Sequence, residues 1–269
     1  MSPKQYFSIR TGKNPNFEGL GIEELRDMFL RLYNQLDKDG YFTEAFGFYC
    51  VDAGFIPGKI PDPEYEILVN LRKKDIWPIG DHCAGYNEDD LFDIIEFLFD
   101  YISKPIDGTY HNWNDCGMHW ETFNKDEGQK YFREKINELL NLYKHRYALS
   151  VEGEVLHKPE KGFEKIFEAD TPTDDANVQA RIDAAIMEFR RHGSSLDDRR
   201  QAVRDLADVL EYLRPHLKTL LSKKDEADLF NIANNFGIRH HNEKQKTNYD
   251  TAIWLSWMFY KTGQKTPGF

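Results

Sequence analysis

A mainly α-helical fold in two parts is what this sequence predicts, and three observations predict it. Apolar residues recur at spacings of three and four along most of the chain, the signature of helices with one buried stripe. Aromatic side chains are abundant, with 19 Phe, 14 Tyr and 5 Trp in 269 residues, so a packed core is expected and not a disordered polymer. A segment rich in Pro, Gly, Thr and charge, residues 158–175, separates two sets of helical patterns.

The elements follow in order. Residues 1–21, with Gly12, Pro15, Gly19 and Gly21, read as loop or edge structure. Leu25, Met28, Phe29, Leu32 and Leu36 form the first clear helical stripe, which stops at Asp39-Gly40, where glycine can take the left-handed cap conformation. A second helix is expected over Tyr41 to Asp52, then a turn-rich break from Gly54 to Pro63 and a short helix over 63–74. Glu88 to Ser103 carries a broad apolar face, with Asn87 as N-cap and acidic residues where the helix dipole favours them. Another helix is expected from about Glu127 to Tyr147, and a small β-hairpin over 147–157 turning near Glu152-Gly153. The domain boundary is expected near Thr173, giving an acidic helical domain over 1–170 and a second helical domain over 174–269.

The second part begins with a helix from about Asp175 to Arg191, ended by His192-Gly193-Ser194. A long helix follows from Leu196, with Val203, Leu206, Leu210 and Leu213 on one face, and Pro215 predicts a kink or restart. Asp225 to Phe236 reads as a short helix capped by Gly237. The last helix, Asn248 to about Lys261, is apolar nearly all round, which predicts burial in its own core or against a second subunit.

Composition bounds the function classes. No run of 18 apolar residues occurs, so no membrane span is expected, and the Met1-Ser-Pro-Lys-Gln-Tyr start is not a signal peptide. Three cysteines, Cys50, Cys83 and Cys116, leave no paired framework and suit a reducing cytoplasm. The net charge of −11 is uneven. Residues 171–269 carry 15 Lys+Arg against 14 Asp+Glu, whereas 1–170 carry 20 against 32. The acidic first part repels phosphate backbones, so any nucleic acid is expected at the second, although charge of this size also simply keeps a protein in solution.

Two residue groups could carry chemistry. Arg239-His240-His241-Asn242 follows the glycine that ends one helix and precedes a buried one. Arginine can fork two donors onto a phosphate, and histidine can take or give a proton near neutral pH. Together they suit cleavage of RNA without a metal, with Asn242 orienting a histidine or a phosphate oxygen. The same residue types also cap helix ends. The second group is Tyr110–Trp120. There Cys116 and His119, three apart, have a spacing that can chelate zinc, and His111, His82 and Cys83 are available to complete a tetrahedral set. The doubled Cys or His pairs of zinc modules are missing, and buried Cys with partly buried His is the commoner fate, so no bound metal or cofactor is expected. Asp37-Lys38-Asp39-Gly40 lacks the ligand positions of a calcium loop.

The run Asp197-Asp198-Arg199-Arg200-Gln201-Ala202-Val203-Arg204-Asp205-Leu206-Ala207-Asp208-Val209-Leu210-Glu211, followed by Phe236-Gly237-Ile238-Arg239-His240-His241-Asn242, resembles helical domains of the HEPN type found in bacterial abortive-infection proteins. Gly40-Tyr41-Phe42-Thr43-Glu44-Ala45-Phe46-Gly47 and Cys50-Val51-Asp52 look like the leading domain of such proteins. The resemblance implies a HEPN-like bundle for 174–269, a homodimer or a defence-system partner, and metal-independent endoribonuclease activity against phage. HEPN motifs space an Arg and a His four to six residues apart, whereas Arg239 is followed at once by His240 and His241. Two readings therefore stand: an RNA-cutting defence protein, or a helical binding or sensor module that recruits a protein or RNA and cuts nothing.

Overall fold

Helix α6, Glu88–Tyr101, is the axis of the N-terminal core. Asn87 and Asp90 close a capping box at its start: the Asp90 amide donates to the Asn87 side chain at 2.8 Å and the Asn87 amide to the Asp90 carboxylate at 3.2 Å. Leu91, Phe92, Ile94, Ile95, Phe97, Leu98 and Phe99 are all buried, more than one stripe can account for, so partners cover α6 on several sides. The computed structural model describes residues 6–14, 19–158, 176–191 and 193–220, with single positions between 223 and 259. They form two compact units, residues 1–155 and 156–269, and the segment 159–175 lies outside the described residues.

Helix dominates the described residues. In the first unit α1 is Phe7–Arg10, α2 Ile22–Lys38, α3 Thr43–Phe46, α4 Pro63–Leu71, α5 Ile79–His82 and α7 Lys125–Leu140. Leu25, Phe29 and Leu36 of α2, and Phe132, Ile136 and Leu140 of α7, bury into the same core as α6. The expected helix over Tyr41–Asp52 is only the single turn α3. Gly47, at φ 81°, then sends the chain into a strand, and a Cβ there would strike the Ile56 carbonyl and the Gly58 amide. The helix expected to reach Tyr147 ends at Leu140. Asn137, in its last turn, brackets the Leu149 backbone instead, donating to its carbonyl at 3.0 Å and accepting from its amide at 2.8 Å.

Three two-stranded sheets complete the described structure. β1, Phe48–Cys50, pairs antiparallel with β2, Gly54–Ile56. β3, Lys104–His111, pairs antiparallel with β4, Gly117–Asn124, with irregular register at Pro105–Gly108. β5, Tyr147–Leu149, and β6, Val155–His157, are the small hairpin expected over 147–157, turning through Gly153 at φ 91°. The β3–β4 hairpin was not expected from the sequence. Its strands alternate poorly, and a glycine and a bulge interrupt β3. The hairpin lies close against helices at two points: a Cβ on Gly40 would collide with the Trp120 indole, and one on Gly128 of α7 with the Lys104 amide.

The second unit is built on α8, Ala176–Arg190, and α9, Leu196–Leu220. Ser195 and Asp198 exchange hydrogen bonds at the start of α9, the Asp198 amide donating to the Ser195 hydroxyl at 3.2 Å and the Ser195 amide to the Asp198 carboxylate at 2.9 Å. Small residues Ala185, Ala202 and Ala207 are fully buried between the helices, beside Val203 and Leu206. Leu255, Met258 and Phe259 join this cluster, and Phe259 stacks on Phe189 at 3.8 Å, so these residues of the apolar C-terminal segment are buried in their own unit. α9 continues through Pro215 with no restart. No helix among the described residues is long and apolar enough to cross a membrane.

Leu98 is completely buried in α6, so Leu98→Ala should cost roughly 2–5 kcal/mol by lost transfer energy and the cavity left behind. Val69→Ala on the exposed face of α4 should stay within about 0.5 kcal/mol of wild type. Urea denaturation midpoints of the two variants check the contrast.

Candidate metal centre

Cys50 ends β1 and opens the turn Cys50–Gly54. Gly54 takes φ 74°, which lets the chain reverse tightly enough for the Ala53 and Asp52 amides to point at the Cys50 sulfur. Those two backbone donors pull the Cys50 thiol below its ordinary range, and the Cys116 side chain adds to the effect. The turn thus favours the thiolate form of Cys50 over an ordinary thiol.

The other ligands come from the β3–β4 hairpin. His111 pairs with Gly117 and Thr109 with His119 across the ladder, which puts both imidazoles on one face. Their rings lie 4.9 Å apart, and Phe48 packs against His119 at 4.7 Å. The connection between the strands is a tight turn, Trp113–Asp115, with Asn114 at φ 50°, Asp115 at φ 53° and Gly117 at φ 97°. That turn folds Cys116 back over the same face, with its sulfur 3.2 Å from His119 Nε2.

The two hairpins meet here. Cys50 Sγ stands 3.8 Å from His111 Nδ1, and one ligand atom from each of Cys50, His111, Cys116 and His119 lies within 4.8 Å of all the others. Four donors held about 2.0–2.3 Å from one zinc ion stand about 3.3–3.8 Å from each other, so the cluster needs to close by only about 1 Å to grip one. Two sulfurs and two imidazole nitrogens are a donor set that suits zinc, and four protein ligands leave no open position for a substrate. His111 carries a further support. Its Nε2 lies 3.2 Å from the Asp52 carboxylate, so a proton on Nε2 leaves the Nδ1 lone pair free to face the sulfurs. Asp52 therefore serves the site twice, through its amide to Cys50 and its carboxylate to His111.

Of the zinc candidates named from the sequence, the structure brings His111, Cys116 and His119 together and leaves out His82 and Cys83. Cys83 is sealed in the core, its thiol 3.6 Å from the Arg26 carbonyl and pushed up to about 11 by burial. His82 borders a cleft of about 500 Å³ with Lys73, Lys74 and Trp77. The fourth donor is Cys50, 61 residues before His111, which sequence spacing did not point to. The available signal was local: a cysteine followed four positions later by a glycine can form a turn that aims amides at its own sulfur. Arg239, His240, His241 and Asn242 lie outside the described residues.

No family model matches this chain, and no curated protein or solved structure is similar to it.

Asp52→Asn keeps the turn but removes the charge behind His111. It should weaken zinc binding roughly 10–100-fold, measured by competition with a chromophoric chelator. Equal affinity in the variant would show that the carboxylate does not orient the ligand.

Proposed function

We propose that the N-terminal unit is a zinc-binding module in which Cys50, His111, Cys116 and His119 hold one ion in a structural site. The observation that carries this reading is the convergence of four ligand atoms, from two separate hairpins, within 4.8 Å. A physical need supports it. None of the 16 residues in β3 and β4 is fully buried, and Cys50 is the one buried residue of β1, so neither hairpin has an apolar core of its own. Isolated hairpins are marginal in water. A metal that crosslinks the two supplies the stabilisation they lack, because binding free energy at such a site is folding free energy.

The full-length chain should purify with one zinc per molecule by elemental analysis. Cys116→Ser and His119→Ala should lose it, each lowering Tm by roughly 2–4 °C per kcal/mol of stability lost. A metal-free wild-type chain whose Tm does not respond to added zinc would remove the proposal.

For the chain as a whole, we propose the function that the HEPN resemblance implies: an abortive-infection protein that cuts RNA through Arg239 with His240 or His241, working in the cytoplasm as a homodimer or with a defence-system partner. In its support, the run Asp197–Glu211 lies on α9, which packs along α8 in a helical unit. The alternative is a module that binds protein or RNA without cutting. RNA cleavage in magnesium-free buffer, which leaves bound zinc in place, separates them. Cleavage falling about 100-fold or more in Arg239→Ala and in the His240→Ala/His241→Ala double variant fits the nuclease. Wild type and variants behaving alike leave the binding module, whose partner co-purification would reveal.

A further inference from the structure

We infer that the Cys/His centre is a peroxide-sensitive fastener, in which oxidation expels the metal and joins Cys50 to Cys116, so that a disulfide takes over the ion's place between the same two hairpins. The inference rests on zinc occupying the centre and adds to that reading how the site is regulated.

Four observations carry it. The centre has two sulfurs, and they are neighbours: Cys50 Sγ and Cys116 Sγ lie within 4.8 Å of each other. They sit on different hairpins, Cys50 at the end of β1 and Cys116 in the β3–β4 turn, so a bond between them would span the junction that the ion spans. Their access differs. Cys50 is 3% exposed, whereas Cys116 is partly exposed in a turn whose Trp113 is 68% exposed, so a small oxidant reaches Cys116 first and finds Cys50 behind it. The third cysteine cannot compete, because Cys83 is fully buried and bonded to the Arg26 carbonyl.

The chemistry balances with hydrogen peroxide as the oxidant. The Cys116 thiolate attacks one peroxide oxygen and the O–O bond breaks, giving a sulfenic acid on Cys116 and a hydroxide ion. The Cys50 thiolate then attacks the Cys116 sulfur, the S–S bond forms, the S–O bond breaks and a second hydroxide leaves. Two electrons pass from the two sulfurs to the peroxide, two protons from solvent convert the hydroxides to water, and zinc departs as the unchanged dication. His111 and His119 alone supply two neutral donors, too few to retain it at a four-ligand site.

Cys50 and Cys116 also explain why the device is reversible in principle. Reduction of the disulfide regenerates both thiolates on the face where the imidazoles still stand, ready to take zinc again.

The test uses the zinc-loaded full-length chain titrated with hydrogen peroxide. Released zinc is read with a chromogenic chelator, free thiols are counted, and disulfides are mapped by peptide mass spectrometry. One zinc should leave per Cys50–Cys116 bond formed, with free thiols falling from three to one. Cys83→Ser should release zinc at the wild-type rate, and dithiothreitol with added zinc should restore the loaded form. Zinc retained under excess peroxide overturns the inference, as does zinc lost while Cys116 becomes a sulfinic acid or links to Cys83. Zinc content before oxidation tests the underlying metal reading separately: a chain that takes up no zinc at all refutes the centre itself, and the switch with it.

Discussion

A short antiparallel hairpin without an apolar core of its own has little to hold it in place, and two such hairpins meet in the N-terminal unit. Their junction is the Cys50, His111, Cys116 and His119 cluster, the point where β1–β2 and β3–β4 come together. Both strands of the longer hairpin lack a fully buried residue. The register of β3 against β4, the left-handed turn at Asn114 and Asp115, and the amides around Cys50 all serve to bring these four side chains together. Were the β3–β4 register to slip by one residue, the imidazoles would face opposite sides of the ladder, because side chains alternate along a strand.

The helical core positions this junction without entering it. α6 gathers α2 and α7 around its apolar surface, and the hairpin is pressed against that body where glycines leave room. Gly40 ends α2 and admits the Trp120 indole, and Gly128 lets α7 approach the start of β3. Lys104 reinforces the second contact through an ion pair with Glu127 at 2.6 Å, although so exposed a pair adds little stability by itself. The helical body thus fixes the base of the hairpin, and the tip, with Cys116 and His119, meets β1 at Cys50 and Phe48.

The two units rest on different physics. Among its described residues the second is built on two helices that approach closely through alanines, with Phe259 of the C-terminal segment stacked on Phe189, a core of ordinary van der Waals contact. The first combines a large aromatic and aliphatic core with a polar cluster of soft and borderline ligands at its edge.

The sequence alone determined the helices with strong periodicity. α2, α6, α8 and the start of α9 were legible because their apolar residues repeat at three and four, and α6 also carries an explicit N-cap in Asn87. The β5–β6 hairpin was legible from its apolar runs and the Gly153 turn. Three of the four clustered side chains, His111, Cys116 and His119, could be named as zinc candidates, because Cys116 and His119 stand three apart with His111 nearby, although no bound metal was expected. What only tertiary structure decided was the pairing of β3 with β4, the end of α7 at Leu140, and the choice of Cys50 over His82 and Cys83. Each depends on contact between residues far apart in the chain. A side chain's local pattern states which face it prefers, but which distant backbone or sulfur meets that face is fixed only when the core has folded around both.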